Sequence, residues 1–200
     1  MRRVTYAVAA SLDGYIAGPN GEADWIIMDP EIDFGAIFER FDTFLIGRRT
    51  FEMMGGAGTG TSRGTRSFVF SRTLRQSDYP KVPIIADDWE RRVAELREEP
   101  GKDIWLFGGG VLFRSLLEAR LVDVVRVAIM PVLLGGGIPL LPAPAPRARL
   151  TLTSHRVYRC GIVAVEYAVD YAVPKGDARK TTRNAKRRQR DAHGHVRRRV

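Results

Sequence analysis

Five short runs of apolar residues mark out the first 110 residues of the chain. They span residues 4–10, 43–46, 67–70, 82–86 and 104–107. Each run is rich in β-branched or aromatic residues and is bounded by glycine or polar residues, which is typical of strands. Because the runs are apolar on both faces, we expect strands of one sheet that is covered by helices on both sides.

Segments with helical periodicity lie between these runs, over residues 31–41, 88–98 and 111–119. In the first, one apolar stripe at helical spacing is formed by Phe34, Ile37, Phe38 and Phe41. The second begins near Asp87 and Asp88, either of which suits an N-cap. The alternation of strands and helices predicts an α/β fold with a mainly parallel sheet.

The pattern changes after Asp123, where three longer strand-like segments follow. These are Val124–Met130, residues 149–159 and residues 162–173. Only a short turn around Cys160 and Gly161 joins the last two, so we expect an antiparallel hairpin. The predicted fold class is a three-layer α/β fold, with helices on both faces of a mainly parallel central sheet and a C-terminal antiparallel hairpin.

The formal net charge of +9 is carried entirely by the end of the chain. Residues 175–200 hold 11 Lys or Arg and 2 Asp, whereas residues 1–174 hold 21 basic and 21 acidic residues. The tail has almost no apolar residues, so it cannot bury enough surface to offset its ordering entropy. We therefore expect a folded domain over residues 1–173 and a disordered basic tail over 174–200. A solvated extension is the simpler interpretation of the tail, and an electrostatic arm for nucleic acid is the alternative.

Cysteine content and hydropathy bear on the cellular setting. Cys160 is the single cysteine, which excludes an internal disulfide and is typical of a reducing cytoplasm. No apolar run approaches the roughly 20 residues of a membrane-spanning helix. The first apolar run is interrupted at Asp13 and Gly14, so we expect no signal peptide. The two histidines of the tail lack further ligands, so no metal site is expected.

Three of the predicted strands end in segments that suit phosphate groups. These segments are Gly47-Arg48-Arg49-Thr50, Ser71-Arg72 and Gly108-Gly109-Gly110. Ligands of open α/β sheets bind beyond the carboxyl ends of the strands, where helix starts offer unpaired N–H groups. Arginine adds a permanent charge that grips phosphate through two hydrogen bonds. Together the segments favour a ligand with several phosphates, such as a dinucleotide with an additional phosphate on its ribose.

Four motifs resemble, in sequence and in order, those of dihydrofolate-reductase-like proteins. They are Ser11-Leu-Asp-Gly-Tyr-Ile-Ala-Gly18, Gly47-Arg-Arg-Thr-Phe-Glu52, Phe68-Val-Phe-Ser-Arg72 and Trp105-Leu-Phe-Gly-Gly-Gly110. More closely, the chain resembles the stand-alone relatives of the reductase half of the bifunctional riboflavin-biosynthesis deaminase/reductase. In that branch Val132-Leu-Leu-Gly-Gly-Gly-Ile-Pro-Leu140 is also typical. The resemblance covers residues 3–172 and leaves the tail unmatched.

The resemblance implies NADPH as the cofactor and assigns residues to it. The residues matched to its ribose phosphate, adenosine and pyrophosphate contacts are Gly47, Arg48, Arg49, Thr50, Ser71 and Arg72. Those matched to the glycine loop and helix start under the pyrophosphate are Gly108, Gly109, Gly110, Val111 and Leu112. Those matched to backbone positions beside the nicotinamide are Ala9 and Ile16. Family members also hold a cis peptide at the glycine pair, here Gly108–Gly109.

The substrate end departs from the dihydrofolate reductase pattern. Dihydrofolate reductases hold the pterin with a carboxylate shortly after a Trp, backed by a Thr on a later strand. Here Trp25 is followed by Asp29, but the later strand offers no Thr. Trp25 is a candidate substrate wall or a core residue. Asp29 is a candidate proton donor or orienting group, or simply the start of a helix before Pro30. Asp33 is a second acidic candidate, and Asp13 is either a loop anchor or a cofactor contact.

The resemblance therefore implies an NADPH-dependent reductase that transfers hydride to a C=O or C=N group of a small heterocyclic or sugar-derived substrate. The activity of the riboflavin branch is reduction of 5-amino-6-(5-phosphoribosylamino)uracil, and a dihydrofolate or pteridine reductase-like enzyme is the alternative. Two hypotheses of other classes are a nucleic-acid-associated protein acting through the basic tail and a cofactor-binding protein without turnover. The riboflavin-type relatives also imply a homodimer.

Overall fold

An eight-stranded mixed sheet forms the centre of the computed structural model, which describes residues 1–56 and 64–171. The strands, in chain order, are β1 (Val4–Ser11), β2 (Tyr15–Ala17), β3 (Phe41–Gly47), β4 (Arg66–Phe70), β5 (Ile84–Ile85), β6 (Asp103–Gly108), β7 (Val124–Met130), β8 (Ile138–Pro139), β9 (Arg149–Val157) and β10 (Val163–Asp170). The order in the large sheet is β5-β4-β3-β6-β1-β7-β10-β9. All neighbours are parallel except that β10 lies antiparallel to both β7 and β9. The predicted mainly parallel sheet with a closing antiparallel hairpin is confirmed.

Helices connect these strands within the part of the chain that the structure describes. They are α1 (Phe34–Glu39), α2 (Arg48–Met53), α3 (Trp89–Glu98) and α4 (Gly110–Glu118), with a short 3-10 helix at Gln76–Asp78. Helix α1 begins later than the periodicity predicts, because Asp33 is its N-cap and accepts a hydrogen bond from the backbone N–H of Ala36 at 2.8 Å. Helix α1 ends at Glu39, before the end of the predicted helix at residue 41, because Phe41 is the first residue of β3.

The structure differs from the sequence prediction in three further short segments. Asp88 occupies the N-cap position of α3 but makes no capping bond, because its backbone is left-handed and its carboxylate pairs with Arg91 at 3.2 Å. Strand β5 covers two residues of the predicted five. Strands β2 and β8 form a separate two-stranded sheet, which has no counterpart in the prediction because such short strands carry no readable periodicity.

An aromatic cluster packs α1 against β3 and β6. Phe41, Phe44 and Trp105 are buried, and the ring centre of Phe38 in α1 lies 5.0 Å from that of Trp105. The indole N–H of Trp105 donates to the carbonyl oxygen of Ala7 in β1 at 2.9 Å, so its polar atom keeps a partner after burial. Each such side chain contributes about 1.5–3 kcal/mol by burial. The cluster therefore fixes the relative positions of three strands that end at the candidate site.

A buried arginine joins the elements at the opposite, amino-terminal edge of these strands. The side chain of Arg2 is 4% exposed. Its guanidinium donates to the Asp42 carboxylate and the Lys102 carbonyl oxygen, and it reaches Thr43 Oγ1 at 2.7 Å and the Leu96 carbonyl oxygen at 3.3 Å. These partners belong to β3, to the end of α3 and to the segment before β6. Arg2 is therefore a polar cross-link between three elements.

The predicted disordered tail over residues 174–200 lies outside the described residues. Residues Met1–Asp170 form one compact unit. The nucleic-acid hypothesis depends on the tail and stays a prediction. No helix within the described residues is long and apolar enough to cross a membrane.

Candidate active site

The three segments predicted to bind phosphate lie side by side at one edge of the sheet. Strands β4, β3 and β6 are parallel neighbours, with Gly47 paired to Phe70 and Ile46 paired to Gly108. The segments that follow these residues therefore start at the same level, beyond the carboxyl ends of their strands. This is the edge at which α/β sheets bind ligands.

Two backbone segments approach each other closely at the ends of β3 and β6. A Cβ atom on Gly108 would lie 3.0 Å from the Thr50 side chain, and one on Gly47 would lie 3.4 Å from the Gly108 carbonyl oxygen. Gly109 has a φ of 100°, a conformation that favours glycine. We call Gly47, Gly108 and Gly109 the glycine contact. Their lack of side chains lets the segments after β3 and β6 approach each other this closely.

The peptide bond between Gly108 and Gly109 is trans, so the cis bond implied by the resemblance is wrong for this chain. The backbone instead changes direction between β6 and α4 through the positive φ of Gly109. The cis bond found within the described residues is Ala143–Pro144.

Helix α4 begins at the glycine contact. Its first residues, Gly110, Val111 and Leu112, carry N–H groups that have no partner inside the helix. Gly110 packs tightly on β8, since a Cβ atom there would lie 2.5 Å from the Pro139 carbonyl oxygen. With nine residues, α4 has enough length for its dipole to favour an anion at this end. Helix α2 has six residues and contributes a weaker dipole.

Arginine side chains flank the same edge in exposed positions. Arg48 pairs with Glu52 one turn along α2 at 3.1 Å, and the two side chains are 43% and 41% exposed. Arg49 and Arg72 are exposed as well. An exposed ion pair of this kind contributes about 0–1 kcal/mol. An anionic ligand could therefore replace Glu52 as the partner of Arg48 at little cost.

Ser71 shapes the turn that contains the exposed Arg72. It is buried, and its hydroxyl oxygen accepts hydrogen bonds from the N–H groups of Thr73 at 3.2 Å and Leu74 at 3.0 Å. The hydroxyl is thus committed to its own turn. Ser71 fixes the backbone from which Arg72 extends.

The residues predicted to lie near the nicotinamide are found further along the same edge. Ala9 in β1 pairs with Ala128 in β7, and Ile16 lies in β2, which pairs with β8. Ala9 and Trp25 both pack on one apolar cluster, whose buried members are Met130, Tyr158 and Ile162. The indole N–H of Trp25 donates to a backbone carbonyl oxygen, that of Glu22, at 3.1 Å. Trp25 is therefore a half-buried wall whose polar atom is used locally.

Asp29 is 9% exposed and lies in the segment 25–32, from which Trp25, Ile26, Ile27 and Ile32 pack on this cluster. One of its oxygens accepts a hydrogen bond from the N–H of Glu31 at 2.7 Å. A hydrogen bond with the Cys160 thiol, followed by the Glu31 amide, lowers the pKa of Asp29. The carboxylate is consequently ionised at neutral pH and suits an acceptor for substrate N–H groups better than a proton donor. Asp33, the other acidic candidate, is occupied as the N-cap of α1.

Asp13 anchors the loop that follows β7. Its two carboxylate oxygens accept hydrogen bonds from the N–H groups of Leu134 at 3.1 Å and Gly135 at 2.7 Å. A hydrogen bond from the Ser11 hydroxyl, followed by these two amides, lowers the pKa of Asp13. The structure thus shows a loop anchor that joins two motifs, residues 11–18 and residues 132–140, rather than an Asx turn within one of them.

One contact at the site was missed by the sequence analysis, that between Asp13 and the loop after β7. Asp13 and Leu134 are 121 residues apart. No local pattern marks this pair, so coupled substitutions among relatives are the signal that could have revealed it. The described residues contain no group of three or more His, Cys, Asp or Glu side chains arranged to hold a metal ion.

Comparison with known proteins identifies the family to which this chain belongs. A family model for the RibD C-terminal domain matches residues 2–164. The chain belongs to the RibD C-terminal domain family. This RibD C-terminal domain protein is 36% identical over 178 residues to the uncharacterised protein YyaP of Bacillus subtilis (strain 168), with 83% of the chain and 94% of YyaP aligned.

Comparison with solved structures shows which fold this protein shares with other proteins. A putative riboflavin biosynthesis protein from Shewanella sp. PV-4 is similar with a TM-score of 0.71 and 27% identity, over 85% of this chain and 99% of that one. Dihydrofolate reductase from Enterococcus faecalis, complexed with NADP(H) and RAB-propyl, has a TM-score of 0.61 at 18% identity, over 84% and 96% of the two chains. The second likeness shows the shared fold alone. The RibD C-terminal domain protein therefore has a dihydrofolate-reductase-like fold.

Proposed function

We propose that this RibD C-terminal domain protein is an NADPH-dependent reductase. The observation that carries the proposal is the convergence of three separate segments at the ends of β3, β4 and β6. They present the exposed Arg48 and Arg72, the glycine contact and the start of α4 to one edge. Guanidinium groups and helix N–H groups suit separate phosphates of one dinucleotide, and a phosphate on its ribose accounts for arginines in the segments after two different strands.

The residues at this edge fit such a cofactor. Gly47 and Gly108 let the ends of β3 and β6 lie close together, so the segment 47–50 and the start of α4 would both be near one pyrophosphate. The segment 47–50 and the segment 108–112 would hold the adenosine phosphate and pyrophosphate, with Arg72 at the ribose phosphate and Ser71 fixing the turn from which Arg72 extends. Ala9 and Ile16 would lie beside the nicotinamide.

The chain's part in the reaction is to orient the substrate and exclude water. When bound, NADPH supplies the hydride. Trp25 and the apolar cluster would provide a wall for a planar heterocycle, and the ionised Asp29 would accept hydrogen bonds from its N–H groups. We propose a C=O or C=N group of a small heterocyclic or sugar-derived substrate as the acceptor, and 5-amino-6-(5-phosphoribosylamino)uracil as the compound to test first. Dihydrofolate is the alternative.

Turnover of purified protein tests this proposal. We expect the absorbance of the reduced nicotinamide to fall when NADPH and 5-amino-6-(5-phosphoribosylamino)uracil are mixed with the protein. The absorbance should fall much more slowly when NADH replaces NADPH as the reductant, or when dihydrofolate replaces the uracil compound as the acceptor. Reduction of dihydrofolate at the higher rate would favour the alternative. Tight NADPH binding without oxidation by any uracil or pteridine substrate would contradict the reductase and indicate a cofactor-binding protein.

We further propose that two copies associate through the β9–β10 hairpin. One face of this hairpin is almost entirely apolar. The cross-strand pairs on that face are Val157 with Val163, His155 with Val165, Leu152 with Tyr167, and Leu150 with Val169. Leu152 and Val157 are 50% and 68% exposed, whereas side chains of this type are usually buried. Such a face would supply the apolar centre of a dimer interface, which typically buries about 800 Å² on each partner.

Leu152→Arg is expected to convert the dimer into a monomer, because it places a charge in the centre of this apolar face. Thr151→Arg is the matched control, since Thr151 pairs with Ala168 on the other face of the hairpin. Sedimentation velocity gives the mass of each variant in solution. A monomeric wild-type protein, or a dimer that survives Leu152→Arg, would contradict the proposed interface.

A further inference from the structure

Two arginines at the tip of the terminal hairpin converge on one carboxylate. Arg156, near the end of β9, lies 3.8 Å from one oxygen of Glu31, and Arg159, in the turn after β9, lies 3.8 Å from the other. We call Arg156 and Arg159 the arginine pair. Both distances are longer than a hydrogen bond, so these contacts are attractions between charges and do not use the guanidinium N–H donors.

The arginine pair lies at the substrate end of the candidate active site. Gly161, in the same turn, packs on the segment after β7, since a Cβ atom on it would lie 3.3 Å from the Pro131 side chain. Strand β7 runs parallel to β1 and ends level with it. The N–H of Glu31 donates to the Asp29 carboxylate at 2.7 Å. An anion held by the arginine pair would therefore lie beside the carboxylate proposed to bind the heterocycle.

The ring of Tyr158 holds one member of the arginine pair in place. The guanidinium carbon of Arg156 lies 4.5 Å from the centre of this ring, which is a cation–π contact. Tyr158 itself is buried in the apolar cluster of the site. Arg156 points away from the apolar face that carries Val157, because successive side chains of a strand alternate between faces. The proposed dimer interface would therefore leave Arg156 accessible to a ligand.

The Glu31 carboxylate can be displaced from the arginine pair at little cost. Its side chain is 42% exposed, and those of Arg156 and Arg159 are 59% and 94% exposed. Exposed ion pairs contribute little to stability. A phosphate monoester brings about two negative charges and three strong acceptor oxygens, which suit two guanidinium groups better than one carboxylate does. Displacing Glu31 leaves one net positive charge among Arg156, Arg159 and Asp29, which favours the phosphate.

We propose that the arginine pair is a subsite for a phosphate group of the substrate, in which the Glu31 carboxylate takes the place of that phosphate. The inference rests on the proposed function, because it assigns one end of the substrate. It narrows the substrate class to compounds that carry a phosphate monoester. Asp29 would bind the N–H groups of the heterocycle, and the arginine pair would bind the phosphate of the same molecule.

Titration of the isotope-labelled full-length protein with ribose 5-phosphate tests the subsite without turnover. Excess NADPH is present, so that the proposed cofactor segments after β3, β4 and β6 are already occupied. We expect the amide NMR signals of residues 29–31 and 158–161 to shift with ribose 5-phosphate and not with ribose. The comparison with ribose separates recognition of the phosphate from recognition of the sugar.

Four variants test the individual contacts, all at exposed side chains whose replacement should leave the fold intact. Arg156→Ala should weaken ribose 5-phosphate binding about tenfold, the effect of one hydrogen bond to a charged group. Arg159→Ala should weaken it less, because Arg159 is more exposed. Glu31→Gln removes the competing charge and should strengthen binding about threefold. Arg149→Ala is the matched control, since Arg149 is an exposed arginine at the other end of β9, roughly 20 Å away.

Steady-state kinetics with NADPH test the role of the subsite in the reaction. In the wild type, 5-amino-6-(5-phosphoribosylamino)uracil should have a KM about tenfold lower than that of the same compound without its phosphate. Arg156→Ala should remove this difference with a smaller change in kcat, and Arg149→Ala should keep it. KM for NADPH should be the same in all these proteins, since the proposed cofactor segments lie at other strand ends.

The outcomes distinguish this inference from the proposed function. Amides 29–31 and 158–161 that do not shift with ribose 5-phosphate, or binding that Arg156→Ala leaves unchanged, overturn the subsite. Weaker binding in Glu31→Gln overturns the idea that this carboxylate takes the place of the phosphate. Equal KM values for the two uracil compounds in the wild type overturn the role in substrate selection. A wild-type protein that binds ribose 5-phosphate at these amides but turns over neither uracil compound contradicts the proposed function and supports the phosphate site.

Discussion

Replacing Arg2 with methionine is expected to lower the free energy of unfolding by about 3–5 kcal/mol, the usual effect of removing one partner from a buried ion pair. Methionine is long and flexible enough to occupy much of the space, but it cannot donate to the Asp42 carboxylate or to the carbonyl oxygens of Leu96 and Lys102. These acceptors lose a donor whose side chain is 4% exposed. Urea denaturation followed by circular dichroism measures the loss.

The neighbouring Arg3 provides the matched control. It pairs with Asp103 at 2.7 Å, but its side chain is 55% exposed. Exposed pairs contribute about 0–1 kcal/mol, so Arg3→Met should change stability little. Equal losses in the two variants would contradict the interpretation of Arg2 as a buried cross-link between β3, α3 and β6.

Arg48→Ala and Arg72→Ala are each expected to weaken NADPH binding by about 1.5–3 kcal/mol, the contribution of a hydrogen bond to a charged group. NADH binding should fall much less, because NADH lacks the additional ribose phosphate. The exposed pair of Arg48 with Glu52 at 3.1 Å offers little resistance to this change of partner. Isothermal titration calorimetry at one fixed ionic strength gives the Kd of both cofactors.

Arg66 is the control for a general loss of positive charge. It is 44% exposed and pairs with Glu99 at 2.7 Å, which matches the setting of Arg48, but it lies at the opposite end of β4. Arg66→Ala should therefore leave both Kd values near those of the wild type. Equal losses for NADPH and NADH, or a comparable loss in Arg66→Ala, would remove the roles assigned to Arg48 and Arg72.

The central strands could be predicted from the sequence because they are apolar on both faces. Strand β6 (Asp103–Gly108) extends the predicted segment by one residue at each end, and β7 (Val124–Met130) has the predicted bounds. The place of the segments that we propose to bind the cofactor followed from these strands, since the segments come directly after them. The strand order could not be read from periodicity, because it depends on contacts between distant residues.

Helix α1 shows where periodicity alone is misleading. Phe34, Phe38 and Phe41 have the spacing of one helix face, yet Phe41 is 2% exposed in β3 whereas Phe34 and Phe38 are 37% and 42% exposed. The capping bond of Asp33 decides where the helix begins. A short helix with a partly exposed aromatic stripe cannot be told from a longer one by spacing.

Long-range polar contacts account for most of what the sequence could not predict. An arginine near the start of a chain is expected to be exposed, and nothing near Arg2 indicates Asp42, which lies 40 residues away. The same holds for the anchor that Asp13 forms with Leu134 and Gly135. Each depends on the folded sheet to bring its partners together.

The central claim is that one nucleotide with several phosphates lies across the ends of β3, β4 and β6. Amide NMR shifts of the isotope-labelled full-length protein, recorded during titration with NADPH, test it most directly. We predict that the amides of Arg48, Arg72 and Gly109 shift together with a single Kd, while that of Arg66 stays in place. Separate Kd values for the three segments, or shifts confined to other parts of the surface, would contradict it.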